Sequence, residues 1–190
     1  TSKVKRVDRA ASLSAYTKGY TGSFVSCSKM DFDDEFAKKN NVILLEVEAS
    51  ANCPHVDYQQ VVTAQEYSNY NELEVLFPPF LPLTIEEINL MENEKHIKDM
   101  NGNPPVGKYL LKMGDFPDYR KAITSSKEQL LEKLSAGKEK AAECLQNMNA
   151  GLWDENYQEY IEWKEDLHNY LKLVYSDMWY GVEEQNQNLS

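Results

Sequence analysis

The stretch Asn71-Glu72-Leu73-Glu74-Val75-Leu76-Phe77-Pro78-Pro79 decides how this chain is read. Alternating apolar residues predict a strand over Glu72–Phe77, and the two prolines stop it, since neither can donate to a ladder. Side chains in a strand repeat every two residues, so Glu72 and Glu74 are expected on one face and Leu73, Val75 and Phe77 on the other. Two carboxylates that close repel each other, which costs stability unless they are solvated or put to use. A bare Glu-x-Glu on a strand is most often a solvent-facing edge, so its neighbours have to decide the case.

Working outward, Val42-Ile43-Leu44-Leu45-Glu46-Val47-Glu48 is a β-branched run of the kind found in a central strand. Ser23-Phe24-Val25-Ser26-Cys27-Ser28 alternates like a half-buried strand and places Ser26 and Ser28 on one face. Phe80–Ile85 reads as a further strand, and so does Gly107–Met113. Asp31–Ala37 reads as a short helix with Asp31 as N-cap and Phe32 and Phe36 on one face. From about residue 87 the texture turns helical. Ser125-x-x-Glu128 has capping-box spacing and precedes a stripe of Leu130, Leu131, Leu134, Ala141, Leu145 and Met148. A second helix starts near Asp154 with Tyr160, Trp163, Leu167, Leu171, Val174 and Met178 on its stripe. The expected class is α+β: a β-rich core over residues 1–113, with a helical subdomain over 114–190 packed on it.

Of the 190 residues, 31 are acidic and 20 basic, a net charge of −11. Nucleic-acid affinity leans on Lys and Arg neutralising phosphates, so this balance argues against a nucleic-acid groove. Residues 1–86 carry a balance of −4 and residues 87–190 one of −7, so the helical half is the more acidic. No apolar run approaches the roughly 20 residues that span a bilayer, and no charged-then-apolar leader opens the sequence. Cys27, Cys53 and Cys144 are odd in number and scattered, as are His55, His96 and His168, so neither a disulfide framework nor a metal site is expected.

In order, the chain offers an arginine in an extended segment (Lys5-Arg6-Val7), Phe24-Val25-Ser26-Cys27-Ser28-Lys29 after Gly19 and Gly22, the Leu44–Val47 strand, and Glu72-Leu73-Glu74-Val75-Leu76-Phe77-Pro78-Pro79. This resembles the arginine-serine-glutamate branch of the mono-ADP-ribosyltransferases, which includes bacterial toxins and vertebrate ecto-enzymes. The resemblance covers roughly residues 3–86. Ser26-Cys27-Ser28 stands where the family has Ser-Thr-Ser, and the separations of 20 residues from Arg6 to Ser26 and 48 from Ser26 to Glu74 are similar to those of its short members.

The resemblance implies that the β-rich core is a split β-sheet, and that the chain is an NAD-consuming enzyme, a toxin or delivered effector, that transfers ADP-ribose to a protein acceptor and uses no metal. Arg6 would grip the NAD diphosphate, Ser26 would hold the nicotinamide-side ribose and Glu74, and Ser28 would support the strand. Glu74 would stabilise the cation formed as nicotinamide leaves. Glu72 would position the acceptor and help deprotonate it, and a glutamate there implies arginine as the modified side chain. Phe32 and Phe36 are candidates to flank nicotinamide, the alternative for either one being a place in the core. Tyr67 and Tyr70 are candidates to contact the acceptor.

Elementary chemistry agrees with these roles. Breaking an N-glycosidic bond develops oxocarbenium character at the anomeric carbon, and a fixed carboxylate stabilises that charge more than it stabilises the neutral sugar. A guanidinium matches phosphate oxygens in pairs.

Lys5 and Val7 flank Arg6 where the family usually has an aromatic residue and a glycine, which keeps Arg9 open as the alternative clamp. Helices that wall the cleft in the family have no counterpart between Thr1 and Arg6, so the wall comes either from chain before Thr1 or from the helices at 124–180, the latter being the expectation. Two other functions stay in view: an NAD glycohydrolase, and an inactive binding module whose acidic helices dock a basic protein. A nucleic-acid-modifying transferase is a third, disfavoured by charge.

Overall fold

A computed structural model describes residues 3–32, 38–61 and 73–181. It divides into two compact units, Thr1–Phe116 and Pro117–Ser190.

The first unit is a mixed sheet of seven strands: β1 (Val4–Arg9), β2 (Val25–Ser28), β3 (Val42–Ala49), β4 (Val56–Asp57), β5 (Glu74–Phe77), β6 (Leu83–Ile88) and β7 (Gly107–Met113), in the order β4-β5-β2-β1-β3-β7-β6. Two short helices, α1 (Leu13–Tyr16) and α2 (Tyr58–Val61), follow β1 and β4. The β-branched run forms the central strand as expected. Val42, Ile43, Leu44 and Leu45 are all buried, so both faces of β3 are covered. Val7, Val42, Leu44 and Ile97 form a core cluster on which Phe32 and Leu90 pack.

Pairing is uneven across the sheet. β1 runs along β3 continuously from Val4↔Val47 to Arg9↔Val42, and β3 pairs in parallel with β7 from Ile43↔Gly107 to Ala49↔Met113. Between β1 and β2 the register holds only at Lys5↔Ser28. The sheet therefore parts into β4-β5-β2 on one side and β1-β3-β7-β6 on the other, joined at one residue pair. This is the expected split core, and it is α+β in class.

The strand expected at Phe80–Ile85 starts later, at Leu83, because Phe80 turns through the left-handed region at φ 67°. Buried Thr21 pins that turn. Its Oγ1 donates to the Pro78 carbonyl at 3.0 Å and accepts from the Leu81 N–H at 2.9 Å, while its carbonyl accepts from the Phe80 N–H at 2.7 Å. Asp33–Ala37, most of the expected short helix, lies outside the described residues.

One face of the central strands buries a charge. Lys108 is 5% exposed and sits between Glu46 at 2.7 Å and Glu94 at 2.6 Å. Burial alone would lower its pKa, but the hydrogen bonds and charges of the two carboxylates outweigh that and raise it.

The second unit is built on α3 (Lys127–Asn149) and α4 (Tyr157–Tyr180). The capping box stands one residue later than expected. Ser126, not Ser125, is the N-cap: its Oγ accepts from the Gln129 N–H at 3.1 Å, and the Gln129 side chain accepts from the Ser126 N–H at 2.9 Å. Ser125/Glu128 and Ser126/Gln129 both satisfy the spacing, so the pattern is degenerate.

On α3, Leu130, Leu134, Ala141 and Cys144 are buried, whereas Leu131, Leu145 and Met148 are exposed. α4 begins after Asp154, whose carboxylate accepts from the Asn156 N–H at 2.7 Å and from the Asn147 side chain at 2.8 Å. Its most buried positions are Leu173 and Ser176, and Met178 is 73% exposed, so the outer end of the expected stripe faces solvent. Where the helices cross, Trp163 donates to the Leu134 carbonyl at 3.0 Å, and a Cβ on Gly137 would stand 2.9 Å from the indole. No helix among the described residues is long and apolar enough to cross a membrane.

Candidate active site

The opening between β1 and β2 is where Arg6, Ser26 and Ser28 meet, with Glu74 on the next strand. Alternation sends Lys5 and Val7 to one face with Ser26 and Ser28, and Arg6 and Asp8 to the other. Beyond Lys5↔Ser28 the ladder stops, and a side chain takes over: Arg6 Nη1 donates to the Ser26 carbonyl at 2.8 Å. On the far side of β2, the ladder Ser26↔Leu76, Cys27↔Val75, Ser28↔Glu74 puts Glu74 on the same face as both serines. Ser26 Oγ donates to Glu74 Oε1 at 2.5 Å. Arg6, Ser26 and Glu74, from three different strands, thus form one hydrogen-bonded chain. Ser28 accepts from the Met30 N–H at 3.0 Å and supports the turn leaving β2.

A cavity of about 330 Å³ opens beside this chain. Arg6, Ser26, Ser28 and Phe32 line it, together with Lys5, Lys38 and Lys39. Four cationic side chains and one carboxylate, Asp31, line it, so in a chain of net charge −11 its wall carries an excess of positive charge, which favours an anion. Lys5 is paired with Asp31, and its ammonium lies 5.2 Å from the Phe32 ring centre. Phe32 belongs both to the cavity wall and to the edge of the core cluster, and the Lys108 ammonium also lies over its ring, 5.8 Å from the centre.

A second cavity, about 320 Å³, lies on the other side of Arg6 and is lined by Asp8, Ser12, Tyr16, Thr21 and Phe24 among others. Arg6 lines both. Asp8, which no sequence pattern singles out, is 6% exposed and accepts from Arg6 Nε at 3.1 Å, the Tyr16 hydroxyl at 2.7 Å, the Arg9 N–H at 2.8 Å and Ser12 Oγ at 3.2 Å. Burial alone would raise its carboxyl. The Tyr16 hydroxyl, the Arg6 charge and the Arg9 N–H outweigh burial and hold it at about 2. Burial, reinforced by Asp8, pushes the Tyr16 phenol well above its ordinary range.

Of the two candidate arginines, only Arg6 reaches the serine strand; Arg9 ends β1 and is exposed. Cys27 pairs with Val75, is 4% exposed, and burial pushes its thiol up to about 12, so it offers no thiolate. Among the described residues no group of three His, Cys, Asp or Glu side chains is placed to hold a metal ion. Glu72, Phe36, Tyr67 and Tyr70 lie outside the described residues.

β5 starts at Glu74, and Leu73 before it has φ 47°, a left-handed conformation rare for a bulky side chain. The Leu73 carbonyl accepts from the Lys29 N–H at 3.2 Å, which holds this kink against the end of β2. The described strand thus begins at Glu74, and the expected shared face of Glu72 and Glu74 falls outside the described residues.

No protein-family model matches the chain, and no curated protein does. Among solved structures it is similar to an ADP-ribosyltransferase from Clostridium botulinum (13% identity over 60% of each chain, TM-score 0.40). It is also similar to the C-terminal toxin domain of RHS2 from Yersinia entomophaga (15% identity, 62% of this chain and 60% of that one, TM-score 0.36). A third is Vis toxin, an ADP-ribosyltransferase from Vibrio splendidus (14% identity, 65% and 51%, TM-score 0.35). The chain spans less than two thirds of the length of each of these structures.

Proposed function

We propose that this chain is an NAD-dependent mono-ADP-ribosyltransferase, acting as a toxin or effector, that transfers ADP-ribose from NAD to a protein side chain, arginine being the acceptor, and releases nicotinamide. The observation that carries the reading is the hydrogen-bonded chain Arg6–Ser26–Glu74 beside a cation-lined cavity.

Each group has a chemical part in this reading. Arg6, with Lys38 and Lys39 nearby, meets the diphosphate of NAD; its planar fork matches phosphate oxygens better than a point charge does. Ser26 fixes Glu74 through its hydroxyl and so holds the carboxylate in one position before the reaction starts. The bond from the ribose anomeric carbon to the pyridinium nitrogen breaks, its electron pair leaves with nicotinamide, and positive charge develops on the ribose. Glu74 faces that charge and stabilises it. An acceptor guanidine nitrogen then bonds to the anomeric carbon and loses a proton. Glu72 takes that proton, and Tyr67 and Tyr70 contact the acceptor, on the strength of the family resemblance. Phe32, on the cavity wall, flanks the nicotinamide.

The test is label transfer from NAD to proteins of a cell lysate, followed by mass mapping of the modified residue. The reading predicts an adduct on arginine and its loss in Glu74→Gln. Nicotinamide release at the same rate with and without lysate protein would identify water as the acceptor and the chain as a glycohydrolase.

A further inference from the structure

Around Arg6 the donors and acceptors are unequally shared, and one carboxylate stands behind most of the arrangement. A guanidinium has five N–H donors. Nε is spent on Asp8 and one hydrogen of Nη1 on the Ser26 carbonyl, and the guanidinium also interacts directly with the Tyr16 side chain. An arginine neutralised by a facing carboxylate commonly presents two parallel donors to it. Here Asp8 takes only Nε, at Oδ2, and that same oxygen accepts from the Tyr16 hydroxyl. Its other oxygen accepts from the Arg9 N–H and Ser12 and lies 3.6 Å from Lys39 Nζ. Asp8 is thus the shared anion behind Arg6 and Lys39, two of the four cations that line the first cavity, while it lines only the second. Helical turns from Ala10 to Tyr16 fold the Tyr16 hydroxyl back onto it.

We propose that Asp8 is a positioning residue: clamped by Tyr16, Ser12 and the Arg9 N–H, it turns the Arg6 guanidinium so that its outer edge faces the opening between β1 and β2, where the diphosphate of NAD is received. The proposal rests on the reading of Arg6 as the phosphate clamp. Its content differs from simple charge balance, and the two predict opposite signs. A buried anion beside the cavity repels an anionic dinucleotide, so by charge alone removing it tightens binding. If orientation governs, removing it weakens binding although the site becomes more positive.

The experiment compares wild type, Asp8→Asn and Tyr16→Phe in three readouts: NAD affinity by calorimetry, KM and kcat for nicotinamide release, and the Arg6 Nε–H resonance with its hydrogen-exchange rate in the free protein. Asp8→Asn is expected to weaken NAD binding about tenfold or more, the scale of a hydrogen bond to a charged group, with the loss in KM rather than kcat. Tyr16→Phe changes no charge and is expected to weaken binding about two- to fivefold in the same direction. The Arg6 Nε–H should be protected in wild type and exchange freely in Asp8→Asn.

NAD binding that is unchanged or tighter in folded Asp8→Asn overturns the proposal. If Asp8→Asn does not fold, unchanged binding and unchanged Nε–H protection in Tyr16→Phe overturn it instead. Failure of wild type to bind NAD overturns the function proposed above and not the geometry. The Nε–H signal still tells those apart: protection supports the Asp8–Arg6 clamp, and free exchange refutes it.

Discussion

The two flanks of β1 are built differently. Toward β3 the backbone does the joining: six consecutive pairs, with Val42, Leu44, Leu45 and Val47 wholly buried beneath them. Toward β2 the backbone joins at Lys5↔Ser28 alone, and the remaining connection runs through side chains, from Arg6 to the Ser26 carbonyl and from Ser26 to Glu74. The first flank holds the sheet together. The second trades ladder for an opening in which polar groups converge. Stability and chemistry are thereby assigned to opposite sides of one strand, and substitutions on the two sides should separate.

The largest separation is expected between Glu74→Gln and Leu44→Ala. Glu74→Gln should lower the rate of nicotinamide release by about 10²–10³-fold, the scale of losing one preorganised electrostatic contact, with little change in thermal midpoint. Leu44→Ala should do the reverse, lowering the unfolding free energy by about 2–5 kcal/mol in a denaturant titration while leaving turnover per folded molecule near wild type. If Leu44→Ala abolished turnover in the folded protein, the two flanks would not be independent.

Arg6→Lys should come next. It keeps the charge but loses the planar fork, so neither the bond to Ser26 nor the match to a diphosphate survives. A rise in KM for NAD of about 10-fold or more is expected, at the scale of one charge-assisted hydrogen bond.

The smallest effect concerns acid. Asp8 has a folded-state value of about 2 against an ordinary value near 4. Its contribution to stability, about 2 kcal/mol at most, is fully present above about pH 4 and is lost as the pH falls toward 2. Unfolding free energies measured between pH 5 and 2 should fall less steeply for Asp8→Asn than for wild type. Parallel slopes would mean that Asp8 is not held as described.

What the sequence disclosed divides along the same line. The β3 flank was legible because a strand buried on both faces must be apolar at consecutive positions, and Val42–Leu45 is. Arg6, Ser26 and Glu74 were legible as residues because their spacing and surroundings resemble a known constellation. Asp8 was not legible. A charged residue two positions from an arginine on a strand reads as solvated surface, and its burial depends on Tyr16 returning eight residues later, which no periodicity announces. Nor was the kink at Leu73, since alternation runs unbroken through the letters while the backbone turns at φ 47°. The α3 cap slipped by one residue for a simpler reason, because two adjacent serines each had a suitable partner three residues on.

Arg6, Ser26 and Glu74 are proposed as an NAD-cleaving centre in the opening of the sheet. Its most direct test is a time course of nicotinamide release from NAD by the purified wild-type chain and by Glu74→Gln, in the presence of lysate protein, with NAD binding measured on both. Wild type should release nicotinamide, and Glu74→Gln should release it about 10²–10³-fold more slowly while still binding NAD. Equal release by the two proteins, or no release by wild type that binds NAD, would contradict it.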